Sequence, residues 1–384
     1  MIKLEDFRQV KTDMSSRGPM RYETRHEKGM TLIEVMIAVV ITSVIIAAAF
    51  SMLIGSQKAT IVVGQVADTQ QNVRLAMELL AQDVRLASFN YTAKAPGAPT
   101  VGACSTLNGV IPFPVGIRPI DKKPAGADDG PDGISMVVPV RADVVTPWVL
   151  SAGVGGTGPA ALLFDKLPMS AAALADMVTQ GLAVNSVVSV GGAAAKSVKQ
   201  INAGDIELTS QYEGKFPVGA PVYLLQCVTY AISTVPAVCG AGSSTCLTRN
   251  GVAFVDGVED IQFAYGCDGC STAAPNPLGE DGVIDEIDGV NTAAGPSATD
   301  FVTNSSWNLT PMTPDKIKQI QVIIVARQVT PDQGFGEISR PGVNTNGPMI
   351  MSDHNPSADP GYDATTYTQQ RRRVLMRVIQ PRNM

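Results

Sequence analysis

Histidine is nearly absent from this chain of 384 residues, since His26 and His354 are the whole complement. That excludes a multi-histidine metal centre and leaves His354 as the one imidazole beyond the N-terminal segment available as a general base. Charge is missing locally as well: from residue 35 to residue 57, 23 consecutive positions carry no ionisable side chain, and across 30–57 Glu34 is the sole one. Proline is missing over a longer span, with none between Met30 and Pro96. A basic excess is also lacking. The 29 Lys and Arg against 35 Asp and Glu give a net charge of −6, which offers no electrostatic footprint for nucleic acid.

The uncharged run consists mainly of Val, Ile, Ala, Leu and Met, and it exceeds the ~20 residues that a helix needs to cross the hydrocarbon core of a bilayer. A cleavable secretory signal has a shorter apolar region with a small-residue cleavage site after it, whereas this run continues into a helical pattern. Arg17, Arg21, Arg25 and Lys28 stand before the span and only Lys58 stands just after it. The positive-inside bias therefore places the N-terminus in the cytoplasm and the bulk of the chain outside. A carboxylate such as Glu34 costs on the order of 3 kcal/mol in lipid unless it reaches the interface or meets a cation. A plain anchor has no need of it.

The junction before the span reads Arg25-His26-Glu27-Lys28-Gly29 and then Met30-Thr31-Leu32-Ile33-Glu34-Val35. This resembles the type IV prepilin signature, in which a charged leader ends in Gly, an apolar residue becomes the mature N-terminus, and Glu occupies the fifth mature position. The resemblance implies cleavage after Gly29 by a prepilin peptidase and N-methylation of Met30. It further implies that Glu34 pairs with the N-terminal amine of a neighbouring subunit during assembly, a role that suits a carboxylate tolerated in an apolar setting only when a cation meets it. The leader, residues 1–29, holds seven Lys/Arg and five acids, so its removal leaves −8. Met14 and Met20 are alternative starts that shorten it.

Past Gln57 the run gives way to a stripe. Val73, Met77, Leu80, Val84 and Ala87 recur at alternating spacings of four and three, one face of an α-helix, with Arg74 and Glu78 as an i,i+4 pair beside it. One helix of roughly 55 to 60 residues is expected, with Gly55 and Gly64 as places to bend. Its membrane and assembly half covers 30–57, and its amphipathic half covers 58–90. The stretch 72–85 is similar to the same region of PilW-type minor pilins and of J-type secretion pseudopilins.

Beyond Tyr91, in 91–384, short β-rich runs alternate with Gly, Pro, Ser, Ala and Asp. Strands are expected at 134–145, 161–167, 186–190, 205–209, 221–232, 252–265, 317–329 and 373–379, mostly as antiparallel strands with one face on a core. The fold class is accordingly α+β and pilin-like: a long N-terminal helix, half transmembrane, packs on an antiparallel β-sheet domain. Large loops fall at 92–132, 271–313 and 333–362. Three islands extend the resemblance to PilW-type proteins: 128–133 running into a strand, 257–266, and 371–377 closing on Arg382.

All six cysteines, Cys104, Cys227, Cys239, Cys246, Cys267 and Cys270, lie in the exported part, where an even count favours disulfides. Closeness suggests Cys239 with Cys246, Cys267 with Cys270, and Cys104 with Cys227, although 15 pairings exist. Competing readings make Cys267-Asp268-Gly269-Cys270 a redox dithiol, or half of a zinc site with Cys239 and Cys246. The acidic tract containing Glu280, Asp281, Asp285 and Asp288 offers oxygen ligands for calcium, but it lacks the Gly that an EF-hand places sixth. Otherwise no cofactor is expected. Gly153 to Gly158 satisfies G-x-G-x-x-G formally, yet Pro159 follows and no helix opens there, so it reads as a loop. Arg371, Arg372 and Arg373 read as a charged strand edge that discourages aggregation.

The sequence therefore reads as a non-enzymatic minor pilin, a structural or priming subunit. Its expected partners are other major and minor pilins, the prepilin peptidase and the inner membrane, with no nucleic acid. It would reside as a single-pass inner-membrane precursor with a periplasmic globular domain, and then in the pilus at the cell surface. A minor pseudopilin of a type II secretion system and a membrane-anchored adhesin are the competing readings.

Overall fold

The computed structural model describes residues 29–89, 104, 116–121, 130–140, 148–155, 163–240, 245–270, 284, 301–303, 307, 312–328, 350–352, 354–359, 362–364, 367 and 370–382. The chain divides into two compact units, Met1–Thr60 and Ile61–Met384. One helix, α1 (Leu32–Leu86, 55 residues), contributes to both.

In the first unit α1 is the whole of the described secondary structure. Thr31 caps it. The Thr31 hydroxyl accepts from the Glu34 amide at 3.4 Å, while the Thr31 amide donates to Glu34 Oε2 at 2.9 Å, the reciprocal capping box that satisfies two orphan donors. Every residue from Gly29 to Thr60 is exposed. Neither Gly55 nor Gly64 interrupts the helix, and with no proline present nothing removes a backbone donor from the ladder.

In the second unit the remainder of α1 turns one face inward. Val73, Ala76, Met77, Leu80, Ala81 and Val84 are buried, followed by Ala87. At about 1.5–3 kcal/mol for each large apolar side chain, this stripe supplies much of what holds the helix to its sheets. The helix stops at Ser88, which takes a positive φ of 59° and donates its amide to the Val137 carbonyl at 2.9 Å. Gly116 lies against that turn. A Cβ there would sit 1.9 Å from the Ser88 hydroxyl, so only glycine fits.

Strands β1 (Ile117–Ile120), β2 (Gly133–Pro139), β3 (Leu163–Pro168), β4 (Val187–Val190), β5 (Lys196–Ile201), β6 (Asp205–Glu213), β7 (Val222–Ser233), β8 (Cys246–Arg249) and β9 (Val252–Asp256) form a nine-stranded sheet. Its main path runs β1-β2-β7-β4-β5-β6-β3, with β8 joining β7 to β9. A second sheet holds β10 (Val258–Cys267), β11 (Ile317–Arg327) and β12 (Arg372–Ile379) in that order. Every named pairing is antiparallel. The register Ile261↔Ile324, Phe263↔Val322 and Tyr265↔Ile320 lines these residues up on the face that joins the helix stripe in one core. A second core lies under helix α2 (Ala171–Thr179), where Leu174 and Met177 meet Val188, Val198, Ile206 and Leu208. The short helix α3 (Pro236–Cys239) follows β7.

The expected elements change in detail. The run 252–265 is two strands, because Gly257 adopts a φ of 74° and switches the chain from the first sheet to the second. Of the strand expected at 134–145 the structure describes Gly133–Pro139 and a further bond from the Val140 amide to the Leu224 carbonyl at 2.7 Å, while 141–145 lie outside the described residues. The loop expected at 92–132 includes β1, and β5 and β8 are further strands outside the expected set. Helix α2 was not expected within a β-rich region. Ser170 caps it, accepting from the Ala173 amide at 3.2 Å.

Candidate functional site

The Gly29–Met30 bond precedes the first helical residue, and both flanking residues are exposed, Met30 by 71%. Apart from its chain neighbours, no atom lies within 4 Å of where a Cβ on Gly29 would stand. Residues 1–28, the rest of the expected leader, lie outside the described residues. Glu34 Oε2 accepts from both the amide and the hydroxyl of Thr31, at 2.9 and 3.0 Å. Among the described residues its charge faces no cation.

The helix around Glu34 suits burial in an apolar medium. Met30, Val35, Ala38, Val39, Thr42 and Ile46 line one shallow groove. The hydroxyls on this stretch are already spent: Thr42 donates to the Ala38 carbonyl and Ser43 to the Val40 carbonyl, each at 2.7 Å. These two donors would therefore enter lipid or a helical bundle already satisfied. α1 is one helix long and apolar enough to cross a membrane.

Two polar clusters in the globular unit had no signal in the spacing of apolar residues. On the buried face of α1, Asp83 accepts from the Tyr230 hydroxyl at 2.6 Å and from Arg249 Nε at 2.9 Å, which ties the helix to β7 and β8. Burial, and then the Asp83 carboxylate, push the Tyr230 phenol upward, so it stays a donor. The second cluster lines a cleft of about 350 Å³. There the buried His354 ring lies between two carboxylates, with Nδ1 2.9 Å from Asp260 and Nε2 2.9 Å from Asp359. Both ring nitrogens are thereby engaged, and neither is open to a substrate.

Beside that ring, Arg372 sends Nε and Nη2 to Glu259 at 2.5 and 2.9 Å, and its guanidinium lies 3.3 Å above the Tyr367 ring. Arg372 is therefore an interior clamp, a correction to its reading as part of a charged strand edge. Glu78, expected to pair with Arg74, instead accepts from Arg377 of β12 at 2.9 Å. Asp132, within the first island of resemblance, accepts from the Phe263 amide at 3.0 Å and thereby joins β2 to β10.

The structure brings the six cysteines together as three bonds, Cys104–Cys227, Cys239–Cys246 and Cys267–Cys270, with Cα separations of 5.5, 5.4 and 5.9 Å. Bonded in this way, Cys239 and Cys246 offer no thiolate to a zinc ion, whereas a Cys267–Cys270 bond is equally the oxidised form of a redox dithiol. The expected calcium ligands Glu280, Asp281, Asp285 and Asp288 lie outside the described residues. Within the formal glycine motif, Val154 exchanges backbone bonds with Phe216 at 2.9 and 3.0 Å. A Cβ on Gly155 would sit 2.0 Å from the Gly214 carbonyl, so the glycine there permits two backbones to meet.

Residues 24–50 match the family described as the prokaryotic N-terminal methylation motif. The match covers the Gly29–Met30 junction and most of the apolar run, and it supports a type IV pilin-like or pseudopilin-like protein. No curated protein and no solved structure matches the chain.

Proposed function

We propose that this chain is a minor type IV pilin of the PilW type, a structural or priming subunit that works by assembly. The observation that carries this reading is Glu34, a lone carboxylate four residues past Met30 in an otherwise uncharged and fully exposed helix segment. In this reading the precursor waits in the inner membrane as a single-span protein with its globular unit in the periplasm. A prepilin peptidase cuts after Gly29 and the amine of Met30 is methylated. The helix is then drawn into a bundle with other pilins, where Glu34 receives a neighbour's N-terminal amine and the apolar residues of 30–57 pack side by side.

Two variants test the steps separately. Gly29→Ala is expected to leave full-length precursor in the membrane, and normal processing would count heavily against the reading. Glu34→Ala is expected to insert and be cleaved yet fail to enter the filament, and wild-type filament yield would remove the pairing role. Deletion of the gene separates the two filament systems. Loss of pili with secretion intact fits a minor pilin, whereas loss of secretion with pili intact fits a J-type pseudopilin.

A further inference from the structure

Strand β12 ends the three-stranded sheet. One side pairs with β11, and among the described residues nothing pairs with the other. The register sets Arg327 opposite Arg372, and the Gln328 amide donates to the Arg371 carbonyl at 3.0 Å. Alternate residues from Arg371 onward therefore turn their amides and carbonyls toward β11, and Val374, Met376 and Val378 turn theirs to the open side. The same three side chains share one face of the strand and are exposed, Met376 by 59%. On the opposite face Leu375 and Ile379 join the core.

Sheet edges are ordinarily guarded by charge, proline or a bulge placed in the open stretch. This one presents three apolar side chains and three unspent pairs of backbone groups, with the exposed Arg373 before the stretch and the exposed Arg382 after it. The last 14 residues contain five arginines and no acid, and of these Arg372 is held by Glu259 and Arg377 by Glu78. We propose that the open edge of β12 receives an extended segment of a partner protein, with apolar side chains at alternate positions and acidic residues at its ends. Backbone bonds would supply affinity, and Arg373 and Arg382 would select the partner by charge. A second copy of this strand fits less well, since it would bring a second Arg373 and Arg382 against those already present. The edge belongs to the globular unit, so the outcome stands apart from whether the N-terminal segment is processed.

The test uses full-length protein in detergent micelles and fluorescence anisotropy with two synthetic ten-residue peptides. Both carry valine at alternate positions; one has two glutamates at each end and the other has two lysines. The glutamate-ended peptide is expected to bind at least tenfold more tightly. Met376→Pro removes an outward amide and no bond to β11, as proline is tolerated at such positions, and it is expected to weaken that binding at least tenfold with the unfolding midpoint held. Should Met376→Pro fail to fold, the exposed Arg373→Glu serves instead and is expected to narrow the preference between the peptides. Equal binding of both peptides, or undiminished binding by folded Met376→Pro, overturns the proposal. So does a dimer that Met376→Pro abolishes while neither peptide binds, which would assign the edge to a second copy.

Discussion

Asp83 shows at residue scale what apolar periodicity conceals. It occupies the inward face of α1 among Leu80, Ala81 and Val84, where a carboxylate is tolerable only because Tyr230 and Arg249 both donate to it. Tyr230→Phe removes one charge-assisted bond and leaves the carboxylate partly unsatisfied, so unfolding in urea is expected to show a loss of about 1–3 kcal/mol. Tyr212, Tyr230 and Tyr265 have phenols raised above the ordinary value of 10.0, first by burial. A raised folded-state value means that these groups lend their full stability below pH 10.0 and lose it as the pH climbs toward the raised values. Alkaline titration followed at the tyrosinate absorbance is expected to show these three ionising together with unfolding. Independent ionisation of all eight tyrosines near the ordinary value would contradict it. Gly29, Met30 and Glu34 could be singled out because their spacing is a local pattern. Asp83, Asp260 and Arg372 could not, because their partners lie 113 to 166 residues away or arrive from a loop.

At the scale of elements, α1 was readable because 3.6-residue periodicity and an absence of proline act locally over its 55 residues. The strands with clear alternation were readable for the same reason. β5 and β1 were harder to see: Lys196–Ile201 mixes two lysines and a glutamine with only three apolar or small residues, and Ile117–Ile120 is only four residues long. Helix α2 was hidden because Ala171–Thr179 is apolar and short, a composition that alone does not separate helix from buried strand. The division at Gly257 depends on one positive φ, and the Asp256-Gly257 pair was its one available cue. The helix stripe leads to a direct test. Leu80 is fully buried where α1 meets the sheets, so Leu80→Ala is expected to cost about 2–5 kcal/mol in chemical unfolding, whereas exposed Leu75→Ala costs well under 1 kcal/mol. Equal effects would mean that the helix face has been misassigned.

Across the whole molecule, the globular unit joins two antiparallel sheets through one core, and the Cys104–Cys227 bond closes a stretch of 123 residues onto β7. Replacing both cysteines with serine is expected to lower stability by roughly 2–4 kcal/mol under oxidising conditions, and reduction of the wild-type chain is expected to have at least as large an effect. No loss in either experiment would mean that the bond does not constrain the unfolded chain. Among its described residues the N-terminal unit has no core of its own: the apolar residues of 29–60 are exposed, a state that water penalises and that a bilayer or a bundle of like helices relieves. That contrast between an outward-facing apolar helix and a self-sufficient folded unit is what makes assembly the function proposed here. Mass spectrometry of the N-terminal peptide of the membrane-bound protein from its native cell tests that claim most directly. The expected result is a peptide beginning at N-methylated Met30, and an intact leader continuing through Gly29 would contradict it.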